Sequence, residues 1–151
     1  MTLCIHIVIT MIDDMAKSRQ SLIKTACGHK VKSHSEKKVD NWLFKNGWLS
    51  IYEPPMRFHE GNIIKPDWVL LPQKGISKPV IIEYWGLSVL KPNAARWAIK
   101  AQEKYERRKK RKEQHYKDSE LYHYIGLTRP DLKNLEESLG AKLEMLKSQT
   151  D

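Results

Sequence analysis

The spacing of apolar residues first predicts a helix over residues 33–46. Ser33 and Glu36 have the spacing of a capping box, in which a serine and a glutamate satisfy free backbone N–H groups of the first helical turn. Apolar side chains then recur at helical spacing, at Val39, Trp42 and Leu43. Asn46 and Gly47 follow as a typical helix end.

Three strand-like runs follow this helix. The first spans residues 48–53 and stops at Pro54-Pro55, and we expect a loop over residues 56–64. The other two runs, residues 65–71 and 79–86, are rich in Val, Ile, Trp and Tyr and are bounded by Pro and Gly. This composition is typical of strands.

The second and third runs predict an antiparallel hairpin that turns at Gly75. In that register Asp67 lies opposite Glu83, and Leu71 lies opposite Pro79. Opposed residues share a face with Cβ atoms about 4.5–5.5 Å apart, and two carboxylates that close repel each other unless a cation lies between them. Glu83 also interrupts an apolar run, where a buried carboxylate is costly unless it is paired, protonated or bound to metal. The hairpin therefore predicts a metal site, and oxygen ligands favour Mg²⁺ or Mn²⁺.

Ordinary structural roles fit these residues as well. A Pro-Asp pair is common turn chemistry, and a lone glutamate in a strand often faces solvent or pairs with an arginine. Cys27, His29 and His34 carry metal-ligating side chains, but their spacing matches no structural zinc module and a fourth ligand is missing.

The rest of the chain predicts a long helix, a strand and a final helix. The long helix spans about residues 93–117. Its apolar stripe comprises Trp97, Ala101, Tyr105, Arg108, Lys112 and Tyr116. The strand spans residues 121–127, and residues 128–131 cap a final helix. One face of that helix carries Leu132, Leu135, Leu139, Leu143 and Leu146. The predicted order is helix, three strands, helix, strand, helix, which indicates an α/β (α+β) fold.

Length and cysteine content narrow the class of protein. A chain of 151 residues fits one domain, which we place at residues 27–151, after an N-terminal extension at residues 1–26. Two cysteines make no disulfide framework, so we expect a reducing, cytoplasmic location. Residues 3–12 are apolar but too few to span a bilayer, so we expect no membrane partner. An extra strand, a dimer contact and translation from an upstream start all remain open for the extension.

The positive charge is concentrated in one element. The formal net charge is +9, and residues 96–117 hold ten Lys or Arg against three Glu, a net of +7. One basic element on a nearly neutral body indicates a polyanionic partner. The candidate nucleic-acid-binding residues are Lys104, Arg107, Arg108, Lys109, Lys110 and Arg111.

Four short motifs in order resemble the PD-(D/E)xK nuclease superfamily, which has the restriction-endonuclease-like fold. The first motif, Gly-His-x-Val-x-Ser-x-Ser-Glu, spans residues 28–36. Pro66-Asp67 and the Ile-Glu-Tyr-x-Gly of residues 82–86 follow, and the fourth, Tyr-x6-Lys-x3-Tyr, spans residues 105–116. The resemblance covers about residues 27–146. It implies a mixed central sheet flanked by helices and a small stand-alone member of this superfamily.

The resemblance also implies roles for particular residues. Asp67 and Glu83 would hold a catalytic Mg²⁺ or Mn²⁺ together with the backbone carbonyl of Tyr84, and Glu36 resembles the acidic residue of the family's first helix. The family's lysine should lie two positions after the glutamate, where this chain has Trp85. Lys112, on the inward stripe of the following helix, is the candidate replacement, with Lys104 and Lys100 as weaker ones.

The implied function is Mg²⁺-dependent hydrolysis of phosphodiester bonds in DNA. The alternative is a nucleic-acid-binding module that kept the nuclease fold without turnover, since Trp85 stands at the lysine position. RNA remains open as a substrate. A domain of this size cuts both strands of a duplex most simply as a homodimer. A purely architectural basic protein would explain the charged helix but not Glu83.

Overall fold

The structure is a computed structural model that describes residues 21–57, 61, 63–86 and 95–148. Residues 1–20 of the predicted extension and residues 93–94 of the predicted long helix lie outside this part of the chain. In chain order the elements are β1 Ile23–Lys24, β2 Lys30–Val31, α1 His34–Lys45, β3 Ser50–Tyr52, β4 Met56–Arg57, β5 Ile63–Ile64, β6 Trp68–Leu70, β7 Val80–Trp85, α2 Arg96–Lys117, β8 His123–Thr128 and α3 Ala141–Lys147.

A mixed four-stranded sheet forms the centre of the fold, in the order β3-β6-β7-β8. β6 pairs antiparallel with β3 and β7, whereas β8 runs parallel to β7. A parallel pair requires a crossover between its strands, and α2 provides it. The predicted α+β class with a mixed sheet and flanking helices is therefore confirmed, while the restriction-endonuclease-like core stays a prediction.

The order of elements differs from the prediction because two short hairpins are added. β1 pairs with β2 ahead of the first helix, so the predicted boundary between residues 26 and 27 falls inside a hairpin. β4 pairs with β5 inside residues 56–64, which were predicted to form a loop. Two-residue strands are too short for an alternating pattern to reveal them.

The predicted hairpin register is observed. Trp68 pairs with Ile82, and the next two pairs follow without a bulge. Lys74 and Gly75 both adopt positive φ angles, 52° and 86°, in the turn between the strands. Two consecutive left-handed residues are the geometry of the tight hairpin turn that matches the twist of the strands.

Strand alternation divides the sheet between two hydrophobic clusters. One face, with Trp68 and Ile82, packs against α1 and the C-terminal helical segment. The opposite face carries Val69 and Ile81, which pack against Tyr116 of α2. Because side chains alternate along a strand, Asp67 and Glu83 share this second face. The alternation therefore turns both carboxylates towards the basic helix.

The C-terminal leucines are buried, but not on one continuous helix as predicted. A 3₁₀ turn spans Pro130–Lys133, Asn134 is extended, and a π-helical turn at Glu136–Gly140 leads into α3. Asp131 accepts hydrogen bonds from the backbone N–H and the hydroxyl of Thr128, which ties the 3₁₀ turn to the end of β8, and the break follows at extended Asn134.

The stripe of α2 is packed from Tyr105, whose ring lies edge-on to that of Trp85, to its C-terminal end. Tyr116 is buried and Lys112 is partly buried, whereas Trp97 is 76% exposed. The prediction that Trp97 faces inward is therefore wrong, since the spacing of apolar residues cannot show where a helix leaves the sheet. α2 is too charged to cross a membrane, and no other helix in the described ranges is long and apolar enough to do so.

The left-handed turn generates a test of the hairpin. Gly75→Ala places a Cβ on a residue with positive φ, which costs about 1–2 kcal/mol. We expect the urea midpoint of unfolding to fall accordingly, with an unchanged slope. Lys78→Ala, on an exposed residue of the same connection, is the control. Equal midpoints for the two variants would contradict the turn geometry.

Candidate functional site

A cleft of about 560 Å³ brings together acidic and basic side chains from distant parts of the chain. All four residues predicted to be catalytic line it, namely Glu36, Asp67, Glu83 and Lys112. Tyr84, the predicted carbonyl ligand, also lines it. The sheet, the first helix and the basic helix therefore meet at the place that the motifs single out.

Glu83 is the most deeply buried charged group of the cleft. It is 2% exposed, and its Oε1 atom accepts a hydrogen bond of 2.7 Å from the hydroxyl of Tyr116. The ammonium of Lys112 lies 2.5 Å from the same oxygen. Burial raises the pKa of Glu83, and Lys112 and Tyr116 oppose that shift. The ion pair with Lys112 thus offsets part of the cost of burying this carboxylate.

Asp67 is held by backbone groups on both sides. Its carbonyl accepts from the N–H of Glu53 at 2.9 Å, and its Oδ2 atom accepts from the N–H of Tyr84 at 2.7 Å. Burial, followed by the charge of Glu83, raises the pKa of Asp67 to about 7. Burial and the neighbouring carboxylate therefore favour the protonated form of Asp67 up to about neutral pH.

Lys112 reaches the carboxylates from α2 rather than from β7. Besides Glu83, its ammonium contacts the carbonyl of Lys65 at 3.0 Å and lies 5.7 Å from the ring centre of Trp85. Trp85 is buried, and its indole N–H donates to the hydroxyl of Tyr124 at 2.8 Å. Trp85, which stands where PD-(D/E)xK nucleases have their lysine, thus lies beneath the ammonium of Lys112.

Glu36 combines a capping role with a place in the cleft. The Ser33 hydroxyl accepts from the N–H of Glu36 at 3.1 Å, which is the serine half of the predicted capping box. The same hydroxyl donates to the Glu36 carboxylate at 3.0 Å, a bond between side chains that the capping box does not include. The backbone N–H of Lys32 and the hydroxyl of Tyr52 donate to the other carboxylate oxygen at 2.8 and 2.6 Å. These donors fix the orientation of the Glu36 carboxylate at the start of α1.

The predicted nucleic-acid-binding residues occupy different surfaces of α2. Arg108 and Arg111 line the cleft itself, while Lys104 and Arg107 line a neighbouring concave surface with Trp97 and Arg129. Lys110 is exposed. Lys109 is partly buried, and its ammonium lies 5.6 Å from the ring centre of Trp85.

The donor atoms of the cleft suit a hard divalent cation. Oδ1 of Asp67 and Oε2 of Glu83 accept no hydrogen bond from the described residues, whereas the other oxygen of each group does. Carboxylate and carbonyl oxygens are the ligands that Mg²⁺ and Mn²⁺ prefer. The carboxylate of Glu36 does not form a compact group of ligand atoms with those of Asp67 and Glu83. Among the described residues, three potential ligand atoms come within 4.8 Å of one another only at Cys27, His29 and Asp40.

Sequence reasoning missed several residues of the cleft. Lys32 and Glu53 form an ion pair at its edge, and Tyr116 supports Glu83 from below. Tyr116 could have been found, because the fourth motif contains it. Sequence reasoning also missed Asp40, which lies outside the cleft. Its acidic side chain stands at helical spacing within the apolar stripe of α1 and is buried.

The raised pKa of Asp67 predicts how stability depends on pH. Between its unfolded value and about 7 the folded protein binds more protons than the unfolded chain, so stability falls as pH rises through this range. In a chelating buffer, we expect the wild type to lose on the order of 2 kcal/mol between about pH 5 and pH 8. Asp67→Asn should lose much less of its free energy of unfolding over this interval.

The exposed acid Asp118 provides the control for this measurement. Asp118→Asn should keep the pH slope of the wild type in urea unfolding. If Asp67→Asn keeps that slope too, the carboxyl of Asp67 does not titrate near neutral pH.

Comparison with known proteins does not assign the chain to a family. No family model matches the sequence, and no curated protein is significantly similar to it. The likeness to PD-(D/E)xK nucleases therefore depends on the four motifs, and the function has to be argued from the geometry of the cleft.

Proposed function

We propose that the protein is a metal-dependent endonuclease that hydrolyses phosphodiester bonds in DNA. The observation that supports this most strongly is the buried pair Asp67 and Glu83 facing Lys112 in an open cleft. Arg108 and Arg111 line the same cleft. Two acids, one inward lysine and flanking arginines form a combination suited to a metal ion and a phosphate group.

The cofactor proposed for this site is Mg²⁺ or Mn²⁺. Asp67 and Glu83 would hold the ion through their free oxygens, together with the carbonyl of Tyr84. When bound, the cation lowers the pKa of a water molecule and neutralises charge on the phosphate. A cation beside Asp67 would also keep its carboxyl ionised near neutral pH, against the effect of burial.

The protein side chains would contribute orientation and charge. Lys112 donates to Glu83 and to a backbone carbonyl, so its ammonium is held at the rim of the carboxylate pair, where it can stabilise negative charge on the transferred phosphate. Tyr116 fixes the rotamer of Glu83, and Trp85 supports Lys112 from beneath. These supports limit the reorganisation that the reaction requires.

The DNA contact proposed for α2 is largely independent of sequence. Arg108 and Arg111 would bind the phosphates next to the scissile bond, while exposed Lys104, Arg107 and Lys110 would bind phosphates further along the strand. Contacts to phosphates give affinity that depends strongly on salt and carries little sequence information. RNA offers the same phosphates, so both nucleic acids belong in the assay.

The ion pair between Lys112 and Glu83, with Trp85 at the usual lysine position, favours one second candidate function. A lysine that neutralises Glu83 permanently would leave a nucleic-acid-binding module without turnover. The two functions differ in whether added Mg²⁺ or Mn²⁺ leads to cleavage.

Lys112 provides the decisive variant. Wild-type protein should cut DNA with Mg²⁺ or Mn²⁺ and stop when the metal is chelated. Lys112→Ala should lose about a hundredfold or more in turnover at saturating DNA, by analogy with single electrostatic stabilisers, while its affinity for DNA changes little. Lys110→Ala, exposed on the same helix, is the matched control and should cut at nearly the wild-type rate.

Three outcomes would count against this role. Equal rates for Lys112→Ala and the wild type would remove Lys112 from catalysis and make Lys104 the next candidate. A loss of DNA affinity without a loss of turnover would make Lys112 a phosphate-binding residue. Absence of cleavage by the wild type on DNA and RNA would leave the binding module as the function.

The contribution of α2 to affinity has its own test. Changing Lys104, Arg107 and Lys110 together to Gln should weaken DNA binding and reduce the slope of log affinity against log salt by about 0.9 for each phosphate that is no longer neutralised. Lys24, Lys30 and Lys45 are exposed on other elements, and their triple change to Gln removes the same charge. Equal slopes for the two triple variants would show that total charge, and not α2, determines the affinity.

A further inference from the structure

A second group of side chains converges where the β1–β2 hairpin meets α1. The backbone N–H of Ala26 donates to the side chain of Asn41 at 2.8 Å, which fixes the hairpin turn on the helix. This places Cys27 Sγ 3.0 Å from one oxygen of Asp40 and His29 Nδ1 2.8 Å from the other. Sγ and Nδ1 are 3.2 Å apart. A thiol, an imidazole and a carboxylate thus surround one point.

The geometry does not suit a nucleophilic triad. In such a triad the histidine uses one ring nitrogen for the nucleophile and the other for the acid. Here Cys27 and Asp40 both lie next to the same atom, Nδ1 of His29. A proton relay from thiol to acid through the ring is therefore excluded. Convergence of sulfur, nitrogen and oxygen on a common point is what a metal ion requires.

Asp40 has the surroundings of a supported metal ligand. It is 1% exposed, and its Oδ1 atom also accepts a hydrogen bond of 2.9 Å from the indole N–H of Trp68, in the central sheet. Metal-binding carboxylates are usually oriented by such an outer hydrogen bond. The indole fixes the carboxylate from the protein interior, so the side facing Cys27 and His29 is the one that would receive an ion.

We propose that Cys27, His29 and Asp40 bind Zn²⁺ at a site separate from the carboxylate cleft. Typical zinc–ligand distances imply ligand atoms about 3.3–3.6 Å apart in a tetrahedral site. Sγ lies 3.2 Å from Nδ1, and the two atoms contact different oxygens of Asp40, Oδ2 at 3.0 Å and Oδ1 at 2.8 Å. One ligand atom from each residue lies within 4.8 Å of the other two, so an ion would need a small outward shift of the hairpin turn and would bind Asp40 through one or both oxygens. Thiolate and imidazole select zinc over Mg²⁺, which prefers oxygen.

Zinc binding would release one proton from the group. The Cys27 thiol releases its proton to solvent and binds as the thiolate, while neutral His29 carries its proton on Nε2. Cys27 is exposed and His29 partly buried, so an ion can enter from solvent, and a water molecule can complete the fourth position. Asp40 is a ligand that the spacing of cysteine and histidine residues in the sequence did not indicate, and His34 does not belong to the group.

Such an ion would act as a clamp between hairpin and helix. The hairpin leads directly into the cap of α1, where the N–H of Lys32 donates to Glu36. The clamp would therefore stabilise the start of the helix that carries Glu36 into the cleft. This role does not depend on whether the cleft cuts nucleic acid.

Cobalt and zinc titrations of the metal-stripped full chain test the site. Co²⁺ should produce the intense absorption of a cobalt–thiolate bond in the wild type and in His34→Ala, the matched histidine control. Cys27→Ser should lose this band. His29→Gln should weaken Zn²⁺ binding at least tenfold in calorimetry, since loss of even an outer partner costs about 10–100-fold. Zn²⁺ should raise the thermal midpoint of the wild type and leave that of Cys27→Ser unchanged.

Other results would overturn the proposal. A wild type without the cobalt–thiolate band has no such site. A band that persists in Cys27→Ser comes from another thiol of the chain. The variant Asp67→Ala, in the cleft, should keep the band, and its loss there would show that the sulfur site is not independent. Cys27 is exposed, so Cys27→Ser should fold, and His29→Gln provides the same comparison independently.

Discussion

The contact between Lys112 and Glu83 is the interaction on which the arrangement of the cleft depends. It joins the basic helix to the buried face of the central sheet, with Tyr116 as a second contact one helical turn later. An unpaired carboxylate at 2% exposure would be strongly destabilising. Removing the lysine would leave Glu83 with the hydrogen bond from Tyr116 and the more distant charge of Arg108. The same ion pair therefore affects both the position of α2 and the ionisation of the acidic residues in the cleft.

This constraint acts unequally on the two carboxylates, because the ammonium of Lys112 contacts Glu83 whereas Asp67 is held by the backbone N–H of Tyr84. The unfavourable proximity appears in the raised pKa of Asp67, whose ionised form is opposed by burial and by Glu83. Perturbed pKa values cluster at functional sites, although structural ion-pair networks shift pKa values too. The observation that supports the proposed phosphate-binding role is therefore the presence of Arg108 and Arg111 in the same cleft.

The sequence predicted the elements in which local pattern and tertiary packing agree. The hairpin register followed from placing the turn of an antiparallel pair at Gly75, and the register and a turn at Gly75 are both observed. The break before α3 could not be seen, because the 3₁₀ turn, the extended Asn134 and the π-helical turn leave the leucines at nearly helical spacing in the sequence. Convergence at Asp40 was equally hidden, since ligand sets built by tertiary contact have no fixed spacing.

The lysine and the carboxylates of the cleft lie on separate layers of the fold. Glu83 belongs to the central strand β7, whereas Lys112 belongs to a helix in which Tyr116 is the one fully buried residue among those that the structure describes. Helices attached by few buried side chains open more readily than central strands, as amide hydrogen exchange detects. Partial detachment of α2 would separate Lys112 from Glu83 while the sheet stays folded. The ion pair of the cleft can thus be lost without global unfolding, and the free energy of this local opening depends on the few side chains by which α2 packs on the sheet.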